Sequence, residues 1–529
     1  MLGFIKGRTM YRLMRMSCGV SFMLYGYDAG VLGGVQGTDA FLKAMGVSDP
    51  TCFGFQQLTY LQYPTGTYVI PMIASSYTLA ATICCLIVSI IGMPLGRRNI
   101  ILLGNAFVVV GAVIQASSWS VGQIIAGRIL CGFGIGFISC TVPTYMAEMS
   151  IEAGERGPEV AFTCALLISG IPIAYWIDFG FTRMTNQVSW RFPIAFQAFF
   201  AMASGSVMFF LPDTPRWYYA KGREAEGDDV LAKLHNKPLD HSDVYRMKEE
   251  IMRSIELETD AEEGTKFNLW TLFWDNTDLR VGRRIRISFL VLSIQQMMGI
   301  NLSVYYSAVI FKNVGLSDFL AQLLSAVMNT MFALGTYLLP ATIERFGRQS
   351  IMFWSALVLA LLMTVFVALI GLPRPTLGTQ WGAAAIICIW NMVFGYGWVG
   401  VPWLYGPEIA PLQQRHIGGA AGAFGEWLFS FLTVFAGGIA LEAVGWKIWI
   451  WMLVFNWLAM PFVWFMCPET GGKSLEEIDV LFAKEDVRER ILASGYGGAI
   501  GEGTGTRERE STQVGSAEEK NSSVRMEEV

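Results

Sequence analysis

Hydrophobic runs of roughly twenty residues, each closed by a short polar or glycine-rich break, recur along the chain from Leu13 to Cys467. A run of about that length crosses the bilayer core as a helix. The pattern predicts twelve spans, near residues 13–35, 66–92, 99–117, 121–147, 160–181, 190–212, 286–311, 318–343, 350–371, 381–409, 418–440 and 446–467. A hydrophilic stretch divides them into six and six, and its apolar spacing, as in "VYRMKEEIMRSIELE", predicts amphipathic helices. The expected organisation is a leader and six-helix half over 1–212, a helical linker over 213–285, a six-helix half over 286–467 and a tail over 468–529. From about residue 483 the tail is rich in Gly, Glu, Ser and Thr and is expected to be disordered.

Composition supports an all-α membrane protein. Of 529 residues, 53% are hydrophobic and 15% charged, against about 25% charged in soluble domains. Basic residues set the orientation. With the N-terminus inside, 31 of the 38 Lys and Arg lie on the inner side and six on the outer, which predicts cytoplasmic termini. Arg128 stands deep within a span. The leader "MLGFIKGRTMYRLMRM" carries no signal-peptide cleavage pattern. Eight of nine cysteines lie in or beside spans, so no disulfide framework is implied. There is no P-loop, and His235, His241 and His416 are all placed on the cytoplasmic side. No enzyme, cofactor, metal site or nucleic-acid partner is expected, and the chain reads as a monomer.

Asp28, in "MLYGYDAGVLGG", raises a sharper question, because a carboxylate at the bilayer centre costs at least about 2.5–3.5 kcal/mol. Depth selects its partner. At 1.5 Å per residue, Asp28 lies about 12 Å from the outer end of the first span and Arg128 about 15 Å from the outer end of the fourth. Glu426 begins about 16 Å above Arg415 at the inner face, deeper than either. Gly132 and Gly136 follow Arg128 on one face and allow close packing. Asp28 and Arg128 are thus expected to pair, as a purely structural couple or as a proton carrier. In the second case Arg128 favours the ionised acid and desolvation the neutral one, so a conformational change moves a proton.

The two halves echo each other. "GMPLGRR" answers "IERFGRQ", "VPTYMAE" answers "VPWLYGPE", and "LPDTPRW" answers "CPETGGKS", at offsets of 251, 260 and 256 residues. Parallel six-helix repeats mark transporters whose substrate lies between the halves. Together with "GRILCGFGIGF" and "QQMMGINLSVYYS", these motifs resemble the sugar porter family of the major facilitator superfamily over residues 15–482. "YWIDFGF" with "VSWRFPIAFQ" is similar to its fungal branch of proton-linked sugar and glycerol permeases. The resemblance implies a twelve-helix major facilitator fold and a plasma-membrane location. It also implies proton-coupled symport of a sugar or polyol, with Asp28 as the proton site.

The pocket reading rests on amides, which bind hydroxyls without a charge to desolvate. Gln295, Gln296, Asn301 and Asn329, with Trp403 to stack on a ring and Gly299 to break the seventh helix, suit a polyhydroxyl ligand. Tyr305, Tyr306, Phe22 and Tyr25 are candidate walls or gates. Two positions depart from the family: Cys164 replaces a frequent Gln, and Glu426 replaces an amide. Glu426 could bind a substrate hydroxyl, take a proton or face a wet cavity. At the inner ends of the spans, Glu148, Arg156, Glu344, Arg348, Glu408 and Arg415, beside Arg97 and Arg98, read either as headgroup contacts or as ion pairs between halves that shut the inner side. Met93 stands where the family usually has an acid, which weakens the expected hold on Arg97 and Arg98. A facilitative uniporter is the alternative, and a non-transporting nutrient sensor of the same fold is the alternative from another class.

Overall fold

The computed structural model describes residues 6–46, 66–149, 156–255, 274–410 and 415–485, less 243, 250, 254, 276, 278 and 474. Among these residues there are helices and no strands. The long helices are α1 Gly7–Val35, α2 Gly66–Leu95, α3 Arg97–Ala116, α4 Val121–Glu148, α5 Arg156–Phe181 and α6 Val188–Phe210. The second set starts with α7, in three pieces, Val281–Met297, Ile300–Tyr305 and Ser307–Asn313. It continues with α8 Asp318–Phe346, α9 Arg348–Ile370 and α10, in two pieces, Leu377–Trp398 and Gly400–Ile409. It ends with α11 Arg415–Val444 and α12 Ile448–Met466.

Among the described residues, ten segments are long and apolar enough to cross a membrane, and the last, Ile417–Met466, holds two helices. Serines, glycines, tyrosines and Asp28 dilute α1 below that level, and it completes the twelve. Large apolar side chains such as Trp354, Leu361, Trp464 and Phe465 face outward, half or more exposed. That surface suits lipid, and the chain is a multi-pass membrane protein.

The observed helices differ from the expected spans where local chemistry intervenes. α1 starts earlier and carries Arg8, Arg12 and Arg15 in its first turns. α7 breaks at Gly299, which has φ +103°. A β-carbon there would also stand 2.3 Å from the Met452 sulfur, so a larger residue would strain the backbone and displace that side chain. A second break, at Tyr306, had no sequence signal. α10 breaks at Val399.

The residues fall into two compact units, Met1–Lys266 with Ile285–Gly472, and Phe267–Arg284 with Lys473–Val529. Both six-helix halves belong to the first, except for the opening turn of α7, up to Arg284, which belongs to the second. Between the halves the most extensive packing is α5 on α8 and α2 on α11. The expected linker helices include Pro215–Ala220 and Glu224–His235. In the second unit, the Asp275 carboxylate accepts from the Arg283 amide at 2.8 Å, and Arg284 lies over the Phe482 ring. The expected disordered tail lies outside the described residues apart from its first few positions.

Candidate functional site: a buried ion pair and an amide cluster

The face at which α1 starts is called the near face and the opposite one the far face. α1 and α4 bring Asp28 and Arg128 together as depth required: Oδ1 to Nη1 is 2.7 Å, and both side chains are fully buried. Gly132 allows the approach of α4 to α2, since a β-carbon there would stand 2.3 Å from the Tyr77 carbonyl oxygen. The Arg128 guanidinium consequently sits 4.5 Å from the Tyr77 ring centroid, a cation–π contact worth up to about 2 kcal/mol when desolvated. Tyr305, from the broken part of α7, stands beside the same guanidinium. The second carboxylate oxygen of Asp28 has no hydrogen-bond partner among the described residues. The pair therefore belongs to one half, while the other half touches it through Tyr305.

The α7 break gathers the amides. Asn301 Nδ2 donates to Gln296 Oε1 at 2.6 Å and to Ser430 Oγ at 2.7 Å, and Glu426 interacts with Gln296. Gln295 donates to the Trp398 carbonyl across the α10 piece, and Asn329 Nδ2 donates to the Ser325 carbonyl at 2.9 Å. Among the described residues, three buried acceptors of these groups remain unpartnered: Glu426 Oε2, Gln295 Oε1 and Asn329 Oδ1. Buried acceptors of this kind call for donors. Cys164 is buried within electrostatic range of Glu426, as are Tyr25 and Cys85. Trp403 is half-buried against the apolar core of the first half. Gln295 and Asn329 do not bond to the Gln296–Asn301–Ser430 cluster; they line other parts of the second half.

Sequence reasoning missed Trp427. It is fully buried on α11, packs on Tyr25 at 5.1 Å and Tyr77 at 5.7 Å, and donates to Ser139 Oγ at 3.3 Å, so it ties one half to the other. Its neighbour Glu426 drew attention as a charge, whereas an aromatic in an apolar run carries no comparable signal.

The near face repeats one charged assembly in each half. Arg97 Nη2 bonds Glu148 Oε1 at 2.8 Å, Thr214 bonds the other oxygen at 2.6 Å, and Tyr145 donates to the Pro212 carbonyl at 2.8 Å. In the second half Arg348 bonds Glu408 at 3.0 Å, Thr470 bonds its other oxygen at 2.9 Å, and Tyr405 donates to the Pro468 carbonyl at 2.8 Å. Gly96 and Gly347 open α3 and α9 with φ of +85° and +81°. Asp213 and Glu469 accept from the first amides of those two helices, where a carboxylate complements the helix dipole. Burial pushes the Asp213 carboxyl up, and the Thr214 amide and Arg97 pull it back. Glu344 adds a second bond to Arg348, at 2.9 Å.

These described pairs join elements within a half, whereas the two expected readings were headgroup contacts and ion pairs between halves. The side chains of Arg156, Arg415 and Met93 lie outside the described residues. The halves are instead bridged toward the far face. Gln36 donates to the Tyr305 carbonyl at 2.7 Å, Tyr175 donates to the Val304 carbonyl, Ser307 donates to the Tyr175 hydroxyl at 2.9 Å, and Thr182 bonds Gln322 at 3.2 Å.

Residues 15–482 match the family described as "Sugar (and other) transporter". The chain belongs to this family. It is 32% identical over 468 residues to the MFS-type transporter oryC of Aspergillus oryzae, covering 88% of this chain and 84% of that one. It is 27% identical over 517 residues to H(+)/hexose cotransporter 1 of Parachlorella kessleri, covering 94% and 92%. Among solved structures, the proton:xylose symporter XylE of E. coli, of the major facilitator superfamily, superposes with a TM-score of 0.72. That match has 20% identity and covers 89% of this chain and 99% of that one. The fold is the major facilitator fold, and the protein is a sugar transporter of that superfamily, not an enzyme.

Proposed function

We propose that this transporter couples proton movement to uptake of a neutral sugar or polyol, with Asp28 as the proton carrier. The observation behind this reading is the buried Asp28–Arg128 pair, in which one carboxylate oxygen remains free to take a proton. Protonation cancels the acid's charge and weakens its hold on Arg128, which also bonds the Tyr305 hydroxyl of the other half, linking the proton to a change between halves. Breaking a buried pair leaves an uncompensated charge, at a cost of about 3–5 kcal/mol, enough to bias states that differ by a few kcal/mol. The proton-coupled relative from Parachlorella supports the same reading. A neutral substrate is favoured because Glu426, Gln295 and Asn329 each present a buried acceptor without a partner among the described residues. A polyhydroxyl ligand supplies the donors. The near face would be cytoplasmic, the membrane the plasma membrane and the working unit a monomer. The two near-face assemblies, with Arg156 and Arg415, would form the inner gate.

The test is external pH beside cells expressing the protein, with hexoses, pentoses, disaccharides, glycerol and other polyols added in turn. Alkalinisation on addition of one solute, abolished in Asp28→Asn while the protein remains at the surface, is expected. Labelled uptake without a pH change would make this a facilitative carrier with a structural ion pair. No uptake of any solute would favour a sensor.

A further inference from the structure

Asp178, on α5 toward the far face, plays no part in the pair or the amide cluster. It is 1% exposed, and neither carboxylate oxygen has a hydrogen-bond partner among the described residues. It lines a small cavity with room for about one water molecule. The walls come from both halves. Gly34 of α1, Tyr175 and Thr182 belong to the first half, and Ala308, Gln322 and Ser325 to the second. Gly34 makes space for the acid, since a β-carbon there would stand 2.2 Å from its Oδ2.

Among the described residues, no group donates to the carboxyl. Tyr27 of α1 commits its hydroxyl to the Pro193 carbonyl at 2.8 Å, and Tyr175 commits its own to the Val304 carbonyl. These tyrosines are the titratable neighbours. The α7 and α8 walls present Ala308, Gln322 and Ser325, and the Gln322 side-chain oxygen is bonded to Thr182. No described cation pairs with Asp178. An ionised carboxylate sealed without donor or counter-charge is strongly disfavoured. The neutral acid, which carries no charge to desolvate, is disfavoured far less. When the second half swings away from the first at this face, the Ala308, Gln322 and Ser325 wall leaves and water reaches the carboxyl, which then ionises.

We propose that Asp178 is a proton-binding residue of the far-face gate, neutral while the gate is shut and ionised while it is open, so that acid on this side favours closure. The proton comes from the water of the far side on closing and returns there on opening. It is therefore not carried across, and it is separate from the proton assigned to Asp28.

The experiment uses the purified full-length protein in nanodiscs without sugar, so its outcome does not depend on symport. Spin labels are placed on Met184→Cys and Leu372→Cys, two exposed positions at this face in different halves. Labelling of the wild-type chain is measured first as background. Distances between labels are recorded from about pH 5 to about pH 9. The long-distance population is expected to rise with pH in the wild type and in Asp28→Asn, to stay low throughout in Asp178→Asn, and to respond again in Asp178→Glu. If Asp178→Asn fails to fold, Asp178→Ser serves as the neutral variant. A wild-type distance that ignores pH, or an unchanged response in the neutral variant, overturns the proposal. A response lost in Asp28→Asn and kept in Asp178→Asn also overturns it, and assigns the gate to Asp28.

Discussion

Glu426 shows how far a single residue departs from its surroundings. Its carboxylate is buried, one oxygen is without a partner, and the other residues beside it are the Gln296 amide, Tyr25, Cys85 and Cys164. A hydrogen bond to a charged acceptor is worth about 1.5–3 kcal/mol. Glu426→Gln keeps the volume and removes the charge, so KM for the transported solute should rise roughly ten- to hundredfold while surface expression holds. An unchanged KM and an unchanged pH profile, read by labelled uptake, would leave Glu426 as a wall of the cavity. The position and charge of Glu426 were legible in sequence because acids are scarce in spans. Which of its roles holds was not, because hydrogen-bond satisfaction depends on what other helices bring. The same holds for Asp178, which the sequence carried only as one letter of a family motif.

At the scale of the element, α7 is the informative helix. Its break at Gly299 was expected from "QQMMGIN", and the structure adds the reason that the break is fixed: a positive φ and the Met452 side chain in contact. Gly299→Ala should lower the melting temperature of the purified protein, by strain of about 1–3 kcal/mol. Trimming the neighbour with Met452→Ala should not restore it, since the backbone strain stays. Full rescue by Met452→Ala would mean that contact alone, and not φ, demands glycine. The short piece Ile300–Tyr305 then aims Tyr305 at Arg128 and gives its backbone carbonyls to Gln36 and Tyr175 of the first half. No periodicity in the sequence signals the second break at Tyr306, whose hydroxyl donates to the Val434 carbonyl of α11.

The two six-helix halves are two copies of one plan, and several of the hydrogen bonds between them lie toward the far face. The bridges there, Gln36 to Tyr305, Tyr175 to Val304 and Thr182 to Gln322, must part if that face is to open. Thr182→Cys with Gln322→Cys, joined by a short thiol cross-linker, should therefore abolish uptake, and cleaving the linker should restore it. Uptake that persists through complete cross-linking would show that this contact does not part during transport. The near-face assemblies repeat from half to half down to Thr214 and Thr470, and to Tyr145 and Tyr405, none of which was singled out beforehand. The repeat in sequence was visible through charges and prolines, while its hydroxyl members looked like ordinary loop and span residues.

Sequence by itself determined the twelve apolar spans, their division by a polar linker, the internal repeat and the family. It also determined that Asp28 and Arg128 must meet, since two charges at one depth in lipid have few other ways to be satisfied. These features are set by solvent and length, which act on each segment separately. Tertiary structure decided the rest. It decided that the described near-face ion pairs close within a half, that Trp427 bridges both halves, and that Asp178 is buried without a hydrogen-bond partner among the described residues. Each of those depends on which helix faces occupy the same space, and neighbours along the chain do not encode that.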